Sequence, residues 1–433
     1  MAINLKEFFR ACNPSATLNV ANPEDRKYYI DFSSVRSGNL IREFKRTITF
    51  SGEEPTCQLF TGHIGCGKST ELLRLKAELE KENYHVIYFE SSDDLDMSDI
   101  DITDILLVIA RKISQSLEEM NISLRPGYFD QLFDDIKNVL HTEIDFAAGV
   151  QFSMGLAKIT AKTKDSPKMR NKLRDYLESR TDSILDSINE EVLKPAVRQL
   201  REKGMEGLVV IMDNLDRIDN KPKSSGRTQP EYIFIDRGEQ LKKMKCHLVY
   251  TIPLTLIFSN DSSNLNSRFG VKPKVLAMVP TQLRDGNSHE EGLVLLKQMV
   301  MARAFPDMSP TERLDKVESI FQNGQMLDRL CRISGGHVRN LLGFLFSCLQ
   351  KEDPPFPENI LREVIQEYRD DLVRKVEAEE WELLREVAKD QNVAGETEYH
   401  TLLRSMFVFE YQDKNGVWFD TNPLLAGTDK LSS

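Results

Sequence analysis

No run of about 18 apolar residues occurs anywhere in the chain, which leaves no candidate for a membrane-spanning helix and no reason to expect a membrane partner. The opening MAINLKEFFRACNPS lacks the apolar stretch of a secretory leader, so the expected compartment is the cytoplasm. No Cys-x-x-Cys pair is present, and no histidine stands at zinc-finger spacing from the cysteines Cys12, Cys57, Cys66, Cys246, Cys331 and Cys348, which therefore read as reduced thiols. Positive charge is also short. A net charge of −11 disfavours indiscriminate binding to nucleic acid or anionic surfaces. The guanine-reading Asn-Lys-x-Asp signature is missing, because NKPK at positions 220–223 ends in lysine.

What is present is an ordinary globular composition, 40% hydrophobic and 29% charged, spread over 433 residues, a length that favours two or three domains. Residues 1–32 read as an N-terminal arm with one amphipathic piece, Leu5 to Ala11. From residue 33 to 285 short apolar strands (TCQLFT, HVIYFE, LVVIM, CHLVYT, KVLAMVP) alternate with helical patterns, the signature of a buried parallel sheet sandwiched by helices. Residues 122–203 depart from that alternation and read as an insertion. Within it Ile144, Phe146, Ala148, Val150, Phe152, Met154 and Leu156 are apolar and two apart, which predicts a half-buried strand or a hairpin bent at Gly149 or Gly155. A basic run follows, Lys158, Lys162, Lys164, Lys168, Arg170, Lys172 and Arg174, opposed only by Asp165 until Asp175. It is either a phosphate-binding surface or a solvated helix start. Residues 286–356 read as a helical lid, and residues 357–433 as helices followed by a hairpin turning at Asn415-Gly416, a winged-helix pattern.

The chemistry concentrates at GHIGCGKST, where Gly62, His63, Ile64, Gly65, Cys66, Gly67, Lys68 and Ser69 satisfy G-x-x-x-x-G-K-[ST] and Thr70 opens the helical pattern behind them. Glycines are required there because successive backbone N–H groups must turn inward around phosphate oxygens. Lys68 is expected to reach the β and γ phosphates of a nucleotide, and Ser69 to offer its hydroxyl to Mg²⁺. Asp213, at the end of LVVIMD, is the second expected Mg²⁺ ligand. Asn214 stands where a glutamate that polarises the attacking water is often found, so hydrolysis is expected to be slow. Asp216 is then the nearest acid, either the base or a partner of Arg217. Thr251 ends its strand and either orients water or is an ordinary strand-end threonine. Arg268, in NSRF, is presented to a neighbour's nucleotide or merely solvated. Arg339, in SGGHVRN, either reaches back over the phosphates from the lid or lies on a helix surface. ATP or ADP with Mg²⁺ is the expected ligand set.

In this order, GHIGCGKS, LVVIMDNLD, the strand ending at Thr251, NSRF and SGGHVR, followed by a wing-like tail, resemble the AAA+ and STAND branch of P-loop ATPases. The lid and tail are similar to origin-recognition ATPases and to transposition or secretion ATPases, whereas D-N-L-D-R is similar to KAP and STAND signalling ATPases. The resemblance implies an ATPase that switches between ADP and ATP states and assembles as a homo-oligomer through shared nucleotide sites. Two tasks fit: a switch that recruits a protein effector in signalling or antiphage defence, or a DNA-acting ATPase that loads a nucleic-acid machine. The tail from Pro357 carries nine Lys and Arg against seventeen Asp and Glu, which favours protein contact over DNA reading there. Nucleic acid stays open through the basic run 158–174. A small-molecule kinase fits badly, since more than half the chain lies in insertion, lid and tail.

Overall fold

The computed structural model describes residues 3–36, 38–124, 126–140, 152–223, 226–393 and 397–432. Two compact units emerge, each from separated stretches of chain. The terminal unit comprises Met1–Ile41, Gly62–Arg74 and Val275–Ser433, and the sheet unit comprises Arg42–Thr61 and Leu75–Lys274.

In the sheet unit, β1 (Cys57–Thr61), β2 (Tyr84–Glu90), β3 (Gly207–Asp213) and β4 (His247–Thr251) run parallel in the order β2-β3-β4-β1. The two-residue β5 (Lys274–Val275) lies next to β1 at the edge, where the chain leaves this unit. Every residue of β1, β3 and β4 is buried, which explains why these strands read as unbroken apolar runs rather than alternating ones. The register sets Glu90 opposite Asp213 and Phe60 opposite Thr251, so the carboxyl ends of the strands share one edge. KVLAMVP pairs as a strand only at its first two residues. Leu276 to Val279 are buried but leave the ladder.

The regular structure of the insertion's described residues is helical: Gly127–Leu140, Phe152–Asp165, Pro167–Glu178, Thr181–Ser187, the wider-wound turn Ile188–Leu193 and Lys194–Glu202. The expected strand or hairpin is overturned from Phe152 onward, and its first part, residues 144–151 with Gly149, lies outside the described residues. The physical reason is a coincidence of periods. Phe152 and Leu156 are four apart, which suits a strand of period two and a helix face equally well. Met154 separates the two readings: it is 51% exposed while Phe152, Leu156 and Ile159 are buried, as on a helix. Gly155 is not a bend either; a Cβ there would stand 2.6 Å from the Phe133 ring, so it lets two helices approach. Phe129 and Phe152 meet in the same layer with ring centroids 4.7 Å apart.

The terminal unit packs the Leu5–Ala11 helix, through Phe8 and Cys12, into a core shared with Glu290–Ala304, Gly324–Ile333, Val338–Lys351 and Glu358–Val373. Helices Glu358–Val373, Glu380–Asp390 and Thr397–Arg404 precede an antiparallel hairpin, β6 (Val408–Asp413) and β7 (Gly416–Thr421), to complete a winged helix. Asp413 pairs with Gly416, so the loop is Lys414-Asn415, with Gly416 at φ 110°. Tyr411 stacks on Trp418 at 4.6 Å and donates its hydroxyl to the Gly335 carbonyl at 2.8 Å, which ties the hairpin to the Gly-Gly turn before Val338.

Candidate functional site

The loop from Gly62 to Ser69 belongs to the terminal unit. Gly62, Gly65 and Gly67 have φ of 149°, 88° and 106°, values that a side chain would strain. A Cβ on Gly67 would meet nothing within 4 Å, so here the open space is a cradle and the backbone angle alone demands glycine. The Lys68–Glu80 helix begins directly behind it. The Lys68 ammonium donates to the carbonyls of Gly62 at 2.8 Å and His63 at 2.9 Å, holding the loop closed around its own lysine. Ser69 and Thr70 are half-buried on the first turn.

Three parts of the same unit grip this loop. From the hairpin, the Glu410 backbone N–H donates to His63 Nε2 at 3.0 Å, which places the proton of a neutral His63 on Nδ1, a buried atom with no hydrogen-bond partner. From the lid, His337 Nε2 donates to the Ile64 carbonyl at 2.8 Å while its Nδ1 accepts from Asn340 N–H, and the Arg339 N–H donates to the Gly65 carbonyl at 3.2 Å. Burial holds both rings neutral, pushing His63 down to about 3 and His337 to about 4, and Lys68 nearby adds to both effects. The Phe409 ring lies 5.8 Å from each imidazole. From the arm and the residues just after it come two more contacts: buried Arg36 donates to the Cys66 carbonyl at 3.0 Å. Tyr29 donates to Glu71 at 2.9 Å and accepts from Arg74 at 2.7 Å, fastening the arm to the helix behind the loop.

In the sheet unit the strand ends form a second cluster. Asp213, 1% exposed, accepts from Tyr88 Oη at 2.9 Å and from the Asn214 N–H at 2.7 Å. Asn214 takes a left-handed conformation, φ 65°, and its amide donates to Glu90 Oε2 at 2.5 Å and to Ser92 Oγ at 3.2 Å. Burial raises the Glu90 carboxyl above its ordinary range, and the negative charges of Asp213 and Asp93 add to that shift. Thr251 is fully buried and accepts from the Leu215 N–H at 3.0 Å. Asp216 sits beyond the left-handed residue in the Leu215–Arg217 turn. Arg268, half exposed on the Ser262–Phe269 helix, faces Glu239 at 3.7 Å.

Thus the loop residues and Arg339 come together in one unit, and Asp213, Asn214 and Thr251 in the other, while Arg268 joins neither network. Sequence reasoning missed His337, Arg36, Tyr29 and the Glu410 amide, whose partners lie far along the chain. It also passed over Glu90, although HVIYFE ends in a carboxylate as LVVIMD does. In the basic run, Arg170 pairs with Asp96 at 2.7 Å and Arg174 with Asp99 at 2.8 Å and Asp101 at 3.3 Å, acids the local sequence does not display. Among the described residues no three His, Cys, Asp or Glu side chains gather into a metal site of their own. Mg²⁺ needs no such cage, since one or two protein oxygens suffice when phosphates and water supply the rest. Ser69 in the terminal unit and Asp213 in the sheet unit each carry a hard oxygen of the kind such an ion takes.

Sheet order, a loop leaving the end of β1 and a C-terminal winged helix make this a P-loop α/β chain. No family model matches the sequence, and no curated protein matches it. Solved structures similar to it include the ORC2 protein of Aeropyrum pernix in ADPNP-ADP complexes, 11% identical over 91% of each chain with a TM-score of 0.40. A Walker-type ATPase of Pyrococcus abyssi is 9% identical over 94% of this chain and 100% of its own, with a TM-score of 0.42. The ORC1 protein of Aeropyrum pernix in complex with DNA is 13% identical over 98% and 96%, with a TM-score of 0.39. Likenesses at these scores assign neither ligand nor task. Among the described residues, no helix is long and apolar enough to cross a membrane.

Proposed function

We propose that the chain binds and slowly hydrolyses ATP, and that lid and wing read the state of the phosphate loop. The observation that carries this reading is the clasp on Gly62–Ser69: a loop shaped for phosphate whose His63 and Ile64 are hydrogen-bonded to the wing and the lid. In the terminal unit, the loop amides, Lys68 and Ser69 are the proposed phosphate and Mg²⁺ contacts, with Arg339 on the lid. In the sheet unit, Asp213 is the proposed Mg²⁺ ligand and Thr251 fixes the turn behind it. Magnesium bound there would neutralise phosphate charge. Phosphate in the loop competes with the Gly62 and His63 carbonyls for the Lys68 ammonium. Movement of those carbonyls moves His63, and with it the hairpin. A switch that exposes the wing to a protein effector follows from this linkage.

Calorimetry with ATP and ADP in Mg²⁺ tests the reading. Lys68→Ala is expected to abolish high-affinity binding and to lower the melting temperature of the free chain somewhat, because the Gly62 and His63 carbonyls lose their buried donor, while the chain stays folded at the assay temperature. Unchanged affinity removes the assignment. A second reading, action on DNA, rests on Lys168 and Lys172, which are exposed beside the paired arginines. Anisotropy with a short duplex decides it: affinity falling with salt and with Lys168→Ala/Lys172→Ala supports the DNA task, and no binding at low salt rejects it.

A further inference from the structure

On the proposed ATPase reading, the position next to Asp213 offers an amide, Asn214, where a base is wanted. The structure supplies a carboxylate from the adjoining strand. Glu90 ends β2 directly opposite Asp213 in the β2–β3 register, on the same edge of the sheet. Its Oε2 accepts from the Asn214 amide at 2.5 Å, and Ser92 Oγ takes the same amide at 3.2 Å. Asn214 is itself fixed, because its left-handed backbone turns its own N–H onto Asp213 Oδ1 at 2.7 Å. Carboxylate and amide are thus the two ends of one contact between neighbouring strand tips, with the amide on the strand that carries Asp213 and the acid on the other.

We propose that Glu90 is the general base of hydrolysis, delivered by β2 and oriented by Asn214. In the step, a water O–H bond breaks and its proton passes to the free oxygen of the Glu90 carboxylate. The water oxygen bonds to the γ phosphorus as the bond to the β–γ bridging oxygen breaks, and that oxygen leaves with the electron pair as ADP. Glu90 then returns the proton to solvent. Asn214 cannot take the proton. Its part is positioning: it occupies one carboxylate oxygen and leaves the other for water.

Single-turnover hydrolysis with excess full-length protein, alongside calorimetry of ATP binding, tests the proposal. Glu90→Gln keeps the shape and an oxygen acceptor for Asn214. Its ATP affinity is expected to match the parent while the rate falls by at least about 100-fold, the scale of general-base contributions. Turnover equal to the parent overturns the proposal, as does a loss found in Asp216→Asn and not in Glu90→Gln. The exchange Glu90→Asn/Asn214→Glu returns the acid and amide to the same contact in reverse and is expected to recover turnover lost in Glu90→Asn. If it stays as slow as Glu90→Asn, while folded and binding ATP, the contact is structural and the base lies elsewhere. Failure of the parent to bind ATP would remove the ATPase reading itself, whereas a parent that binds and hydrolyses while Glu90→Gln does the same removes Glu90 alone.

Discussion

Asn214 illustrates how one residue changes meaning once its neighbours are known. From sequence it marks only the lack of an acid beside Asp213, and replacing it with glutamate would be expected to accelerate hydrolysis. With Glu90 as the proposed base, its bond to Asn214 predicts the opposite. Asn214→Glu would set two carboxylates at hydrogen-bond distance beside Asp213, where like charges raise one another's pKa and force a proton into the pair. Turnover of this single variant is expected to fall below the parent near neutral pH, by about 10-fold or more as Glu90 loses its orientation. Steady-state phosphate release checks it, and a rate above the parent would show that position 214 alone wants an acid. The Gly62–Ser69 loop between strand and helix was legible in the sequence because it is built from contiguous residues of fixed types at fixed spacing. His337 and Arg36 were not, since what makes each matter is a carbonyl of that loop reached from elsewhere in the chain.

At the scale of elements, the β6–β7 hairpin and the Gly335-Gly336 turn are packed closely on one another, with a Cβ on Gly335 falling 2.8 Å from the Phe409 ring. Glu410 lies in β6 with its carboxyl buried and Oε2 without a partner, and burial lifts it from 4.5 to about 8. The unfolded chain releases this proton near 4.5 and the folded chain keeps it to about 8, so across that window the folded state binds more protons. The sign follows: this group's contribution is present in full below the lower value, falls as pH rises through the window, and is gone above it. The limiting slope for one proton is about 1.4 kcal/mol per pH unit. Glu410→Gln is expected to melt with a smaller difference between pH 5 and pH 9 than the parent, measured by circular dichroism; an equal difference would mean the carboxyl finds water. Gly336 has φ 75°, and a Cβ there would lie 1.6 Å from the Val279 carbonyl oxygen. Backbone must shift to admit it, so Gly336→Ala is expected to cost about 3 kcal/mol or more, read from urea unfolding.

Secondary structure was largely readable at this scale wherever one period dominated, as in β3 or in the lid helices. It failed at Phe152–Leu156, where two periods share the same apolar positions and only the exposure of Met154 separates them. Likewise the basic run looked unopposed because its acids, Asp96, Asp99 and Asp101, precede it by some seventy residues. Pairing with them leaves Arg170 only 5% exposed, and truncating such a cation would strand buried carboxylates rather than simply remove surface charge.

For the whole molecule, assembly through shared nucleotide sites turns on Arg268. Its pair with Glu239 is long, 3.7 Å, and both side chains are about half exposed, so little holds it from a partner. If a second copy receives it, Arg268→Ala chains mixed with Lys68→Ala chains are expected to regain part of the parent turnover, because the first keeps an intact loop and the second an intact arginine. Turnover of the parent per chain should also rise with concentration. No rescue at any ratio, or full activity of Arg268→Ala alone, would leave each chain to complete its own site.

The clasp on the phosphate loop also orders events during synthesis. His63 and the Glu410 amide that caps it are 347 residues apart. At about 5–20 residues per second, translation places tens of seconds between the two. The stretch from Leu75 to Lys274, which completes the sheet unit, is made entirely within that interval. A ribosome that stalls after Val275 and before residue 410 therefore carries a chain whose five-stranded sheet has all its strands but whose loop has no wing to hold it, so a segment made late restrains one made early.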